Sequence, residues 1–138
     1  MKVNLGSYNT KTRKIKVKIH DYDVWNLDHT LALIIHPCLL KLQEVKHGGP
    51  VVDNADTPEE LHGEGALANG DVDDNFFKRW DYVLNEMIWA FEQILSEELE
   101  PYFVNDLMSI DKNLMNEYED RKRKGLILFG KYFQGLWD

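Results

Sequence analysis

The chain has 138 residues, 43% of them apolar and 29% charged, and a formal net charge of -8. Those proportions suit one globular domain, 1–138, with a contiguous core. The longest apolar run, Leu31 to Ile35, stops at His36 and Pro37, far short of the roughly 20 residues that a membrane span needs. No apolar stretch precedes Lys11, so no signal peptide is expected, and the single cysteine, Cys38, excludes an internal disulfide or a cysteine-based zinc site. The expected setting is a reducing cytoplasm.

Charge is unevenly distributed. Residues 1–18 hold six cations and no acid, which leaves ten cations against 24 acids in the other 120 residues, a balance of -14. A basic arm on an acidic body can bind nucleic acid, or it can dock electrostatically on its own body or on a neighbouring subunit. The second reading is favoured, because so acidic a body repels an extended polyanion.

Ile15, Val17 and Ile19 alternate with Lys14, Lys16, Lys18 and His20, the period-2 pattern of a half-buried strand over 14–20. Lys2 to Leu5 is its expected hairpin mate, joined through Gly6 to Thr12. A short polar and aromatic link, His20 to Asn26, follows. Asp28 is the expected cap of a helix over 29–46, whose apolar face is built from Leu31, Ile34, Ile35, Cys38, Leu39, Leu42 and Val45. Pro37 inside it is expected to kink or split the helix.

No lysine or arginine lies between Lys46 and Lys78, and glycine, proline and acids dominate there. The segment 48–72 reads as a mobile acidic loop, with Thr57 to Leu61 able to make one helical turn. Phe77, Trp80, Leu84, Met87, Ile88, Phe91 and Leu95 carry the strongest helical period in the chain and predict a helix over 74–97. Trp89 and Phe76 widen its apolar surface, which implies burial between several partners or an interface. Pro101 breaks the pattern, 102–110 is ambiguous, and Asp111 caps a helix predicted over 112–136. The fold class is therefore α+β, mostly helical, with three main helices and a short N-terminal strand or hairpin. Trp80, Phe91, Phe129 and Tyr132 are expected in or beside the core.

Candidate chemistry is sparse. His20, Asp21, Asp23 and His36 are raw material for a metal-dependent phosphohydrolase, but their spacing matches no ligand motif, and capping or hydrogen-bonding roles are the plainer account. Asp71, Asp73 and Asp74 begin like a calcium loop, but Phe76 stands where the turn needs glycine and no acid closes the loop, so helix capping fits them better. No phosphate-binding glycine loop, nucleophile elbow or cysteine–histidine pair occurs, so catalysis is not expected and no cofactor is implied.

The cations near the end stand out. Arg121, Lys122, Arg123 and Lys124 run into Gly125 and an aromatic segment ending at Trp137. Helical geometry puts Arg121, Lys124, Gly125 and Leu128 on one side, with Lys122 elsewhere. An arginine fork holds phosphate well, and an aromatic ring stacks on a base, which makes Arg121, Arg123, Lys124, Tyr132 and Trp25 the candidate ligand-binding residues. Gly125 would admit either a ligand or a tightly packed helix.

Four blocks are familiar together: Trp25 to Leu33 with Leu-Asp-His-Thr-Leu-Ala, Lys46 to Asp53, Phe77 to Gln93 with Lys-Arg-Trp-Asp-Tyr-Val, and Gly125 to Asp138 with Phe-Gly-Lys-Tyr-Phe. In these the chain resembles a family of short, uncharacterised accessory proteins of tailed bacteriophages. The resemblance implies action in the cytoplasm of an infected bacterial host. One class of such viral proteins sequesters nucleotide immune messengers without cleaving them, as symmetric oligomers with pockets between subunits. By extension the chain is expected to be a homo-oligomeric, non-enzymatic binder of a small phosphorylated nucleotide, with no membrane and no extended nucleic acid among its partners. The alternative is an interaction module, a virion component or host-protein inhibitor, docking through the eight acids of 53–74.

Overall fold

The computed structural model describes residues 1–6, 13–104 and 109–137. In chain order it contains β1 (Lys2–Asn4), β2 (Lys16–Lys18), α1 (Asp21–Trp25), α2 (Leu27–Val45), α3 (Phe76–Leu95), β3 (Phe103–Val104), β4 (Ser109–Ile110) and α4 (Lys112–Lys131), with short 3-10 turns at Asn54–Asp56, Glu59–Leu61 and Phe133–Gly135. This is a mostly helical α+β domain.

The helix α3 is central because its buried apolar face is broad, with Lys78, Asn85 and Glu92 on the exposed side. Trp80, Val83, Leu84, Met87 and Ala90 are fully buried, and Phe76 and Phe91 nearly so. A face that broad needs more than one neighbour to cover it. α2 covers one flank with Ala32 and Leu39, and α4 the other with Tyr118, Leu128 and the Phe129 ring, which meets Phe91 edge-on at 5.0 Å. Gly125 sets the α3–α4 spacing: a Cβ there would lie 2.5 Å from both the Ala90 Cβ and the Glu86 carbonyl oxygen. The glycine therefore admits a helix.

The segment between α2 and α3 is laid against the ends of the helices. Gly49 sits on the Trp80 indole, Pro50 packs on Gly135, Val52 is buried, and Lys46 pairs with Asp81 at 2.6 Å. The helical turn expected between Thr57 and Leu61 is the 3-10 turn Glu59–Leu61.

Several boundaries differ from expectation. The link from His20 to Asn26 contains α1, closed at its start by the Asp23 carboxylate, which accepts the His20 backbone N–H at 2.8 Å. α2 therefore starts two residues early with Asn26 as its cap residue, and Asp28 lies in the first turn, where a negative charge favours the helix dipole. Pro37 does not split α2; the carbonyl it leaves without a helical partner belongs to exposed Leu33, which water can reach. α3 is preceded by Asn75 as cap residue, not by Asp73 or Asp74. Asp111 does cap α4, accepting from the N–H groups of Asn113 and Leu114 at 3.0 Å, but α4 ends at Lys131 and tightens into the 3-10 turn that carries Tyr132's neighbours. The ambiguous stretch after Pro101 holds the two-residue pair β3–β4.

Candidate interaction surface

The N-terminal hairpin follows from its alternation. β1 and β2 pair antiparallel with Lys2 opposite Lys18, Val3 opposite Val17 and Asn4 opposite Lys16, so the lysines share one face while Val3 and Val17 share the other. The expected mate of the 14–20 strand is thus present, over a shorter span; the turn between them lies outside the described residues. Every residue of both strands is exposed, as are the flanking Leu5, Ile15 and Ile19. The strand is therefore not half-buried, because nothing among the described residues covers its apolar face.

One end of the hairpin is fastened. The Met1 amino group pairs with the Asp23 carboxylate of α1, and the two groups are largely shielded from solvent. That bond, with the one from the His20 N–H, holds the Asp23 carboxyl below its usual range. Beyond the tether, α1 turns Tyr22 and Trp25 outward, 85% and 88% exposed, over a hollow of about 590 Å³ also lined by Asn26, His29 and Thr30. The apolar surface continues along α2, where Leu31, Leu33, Ile34 and Leu40 are exposed. Large apolar groups thus stand in water over three consecutive elements.

The predicted ligand residues do not form one constellation. Trp25 belongs to the α1 hollow, whose lining includes no lysine or arginine. Arg121 forks the Glu86 carboxylate at 3.0 and 2.8 Å and lies 4.0 Å above the Trp89 ring. Arg123 pairs with Asp120 on the solvent side, and the Lys124 ammonium lies 5.7 Å from the Tyr82 ring centroid. Arg121, Lys124 and Gly125 do share one side of α4, and that side faces α3. Tyr132 is buried: its hydroxyl accepts from the Asp53 N–H at 3.0 Å and donates to Asp56. Burial and the Asp56 bond push its pKa up to about 12. Burial would raise the Asp56 carboxyl, but bonds from Lys131 and Tyr132 outweigh it and hold the group low.

The other candidates are dispersed in the same way. Asp23 is occupied by Met1 and His20, whereas His36 lies in a separate hollow near the end of α3 with Glu92, Glu97 and Glu98. Among the described residues no three histidine, cysteine or acidic groups cluster as metal ligands. Of the eight loop acids, Asp53 and Asp56 are held by Lys131 and Asp73 by Arg79, while Glu59, Glu60, Glu64, Asp71 and Asp74 are exposed. Two features escaped sequence reading: Tyr22 as the outward companion of Trp25, and the outer stripe Leu33, His36 and Leu40. Spacings of three and four were visible for the stripe, but the inner stripe of the same helix was the stronger signal.

No helix of the described residues is long and apolar enough to cross a membrane. No protein-family model, curated protein or solved structure matches the chain.

Proposed function

We propose that this protein is a non-enzymatic interaction module whose working surface is the hairpin, α1 and the outer face of α2. The observation that carries the reading is the near-complete exposure of Tyr22 and Trp25 on an element tethered to the uncovered hairpin. Aromatic anchors of this kind supply most of the energy in protein–protein interfaces. The resemblance to tailed-phage accessory proteins makes an infected bacterial cell the natural setting. In that setting the test is to purify the full chain from infected cells with Trp25→Ala beside it. A stoichiometric protein partner lost with Trp25→Ala, at unchanged thermal stability, is the expected result. The same partner at the same yield on both forms would overturn the reading.

A second reading, a binder of a small phosphorylated nucleotide, is supported by the position of Trp25 over a hollow that Asp23, Asn26, His29 and Thr30 also line and that is large enough for a base and ribose. It requires phosphate contacts from outside that hollow, which a second subunit would supply. Calorimetric titration with cyclic and ADP-ribose-type nucleotides tests it, and no heat from any of them removes it.

A further inference from the structure

The hairpin is an unstable object on its own. Two strands of three residues, exposed on both faces, do not hold together in water without cover. Its cover has to satisfy two demands at once, since Val3, Ile15 and Val17 need an apolar surface while Lys2, Lys16 and Lys18 need anions. None of these three lysines is in an ion pair with another described residue.

The same chain carries a surface of the opposite kind. On α2, Leu33 and Leu40 are exposed and lie one turn to either side of His36, so the three residues share a helix face. His36 lines a hollow of about 650 Å³ together with Glu92, Glu97 and Glu98 at the end of α3. Those glutamates are exposed and likewise have no ion-pair partner among the described residues. An apolar stripe with three acids beside it, unpaired among the described residues, thus meets a ribbon that is apolar on one face and carries on the other three lysines, likewise unpaired among the described residues.

We infer that the hairpin of one copy docks on the Leu33, His36 and Leu40 stripe of a second copy, with Lys2, Lys16 and Lys18 reaching Glu92, Glu97 and Glu98. The partner is a second copy because the charge asymmetry is built into one chain, six cations and no acid in residues 1–18 against a balance of -14 elsewhere. A two-fold dimer lets each copy give its hairpin and receive the other's, which closes the assembly and leaves neither ribbon uncovered. The lysines leave the ribbon from the face opposite Val3 and Val17, so their long stems have to curve round its open edges for the ammonium groups to meet the acids. The inference names a second copy as the partner of the hairpin and the outer face of α2, leaves Tyr22 and Trp25 to the protein partner proposed above, and rests on that reading.

Sedimentation of the full chain across the micromolar range tests it. The wild type is expected to be a dimer that weakens as salt is added, and Val17→Asp is expected to be a monomer with an unchanged helical circular dichroism spectrum. Lys16→Glu with Lys18→Glu, and separately Glu97→Lys with Glu98→Lys, should each weaken the dimer by about ten-fold or more. Mixing these two double variants restores both docks and should return a tight heterodimer, an outcome that misfolding cannot imitate. A wild type that stays monomeric, or a dimer indifferent to both charge reversals, would overturn the inference. If that monomer still captures a Trp25-dependent partner, self-docking falls and the interaction reading stands; loss of both results removes both.

Discussion

Arg79 forks both carboxylate oxygens of Asp73, at 2.9 and 2.6 Å, with its guanidinium-bearing side chain 1% exposed. The same guanidinium donates to the Leu61 carbonyl at 3.0 Å, so one side chain of α3 ties the middle of the acidic stretch to its end at Asp73. Gly63 lies against the pair so closely that a Cβ would stand 2.4 Å from the Asp73 carboxylate. Asp73 also accepts the N–H groups of Gly65 and Asn75, which turns the chain into α3.

The Arg79 bond, reinforced by those two backbone donors against the effect of burial, holds the Asp73 carboxyl far below its ordinary range. A depressed carboxylate stabilises the fold above its unfolded pKa, about 3.9, and that contribution disappears as pH falls towards the folded value. Arg79→Met should therefore lower Tm by several degrees at neutral pH, because it strands the carboxylate. The gap from wild type should narrow below about pH 4, where Asp73 protonates in the unfolded chain. Thermal melts at a series of pH values check this; a gap independent of pH would mean that Arg79 acts only through packing.

Two glycines of α4 should respond in opposite directions. Gly125→Ala drives a methyl into the Ala90 side chain and the Glu86 carbonyl, and the backbone oxygen cannot step aside. Overpacking of about 1–3 kcal/mol outweighs a helix-propensity gain of about 1 kcal/mol. Gly130→Ala meets nothing within 4 Å, so only the gain remains, and it should stabilise by about 0.5–1 kcal/mol. Chemical denaturation of the two variants measures both, and equal effects would show that α4 is not seated on α3 through Gly125.

Tyr132 links the C-terminal end of the helical body to the loop through Asp53 and Asp56. Burial first, and the Asp56 bond second, raise its phenol from about 10 to about 12. A raised pKa stabilises the fold below the unfolded value and ceases to do so as pH climbs to the folded one, so this contribution is lost between about pH 10 and pH 12. Tyr132→Phe should cost about 1–2 kcal/mol at neutral pH, with the difference shrinking across that alkaline window. Ultraviolet titration should also lose one late-ionising phenol; a variant that leaves the late phase intact would assign it to Tyr102 or Tyr118, which burial also raises.

The helices were legible because their period outruns every competing signal: Trp80, Leu84, Met87 and Phe91 recur at three and four, and all four are buried. Boundaries were less so. Asp28 has the right chemistry for a cap, but Asp23 closes a separate five-residue helix upstream, and a helix that short leaves no periodic trace. The site was hardest to read because pairing across elements is invisible in one dimension. Arg121 looked available beside Lys122 and Arg123, yet its partner, Glu86, is 35 residues away on another helix. The hairpin was foreseen from alternation, whereas its failure to bury either face depends on what the rest of the chain does not cover.

The last prediction separates Arg121 from Arg123, which sequence alone treats as equivalents. Arg121 makes two bonds to a Glu86 side chain that is 10% exposed and stacks over Trp89, while the Arg123 and Asp120 side chains are 68% and 72% exposed. Charge-assisted bonds reach about 1.5–3 kcal/mol, and since Arg121 is itself half in water the cost of Arg121→Ala should be about 1–2 kcal/mol. Arg123→Ala should change stability by less than about 0.5 kcal/mol, as exposed ion pairs do. Arg123 is thus the clean probe of a phosphate role, since its removal leaves the fold alone. Urea denaturation gives the two stability changes, and calorimetry with cyclic and ADP-ribose-type nucleotides gives the binding change. Under the interaction reading both variants retain the Trp25-dependent protein partner and no nucleotide binds either. A nucleotide that binds the wild type and loses about ten-fold or more in affinity with Arg123→Ala would return the basic cluster to the centre of the function.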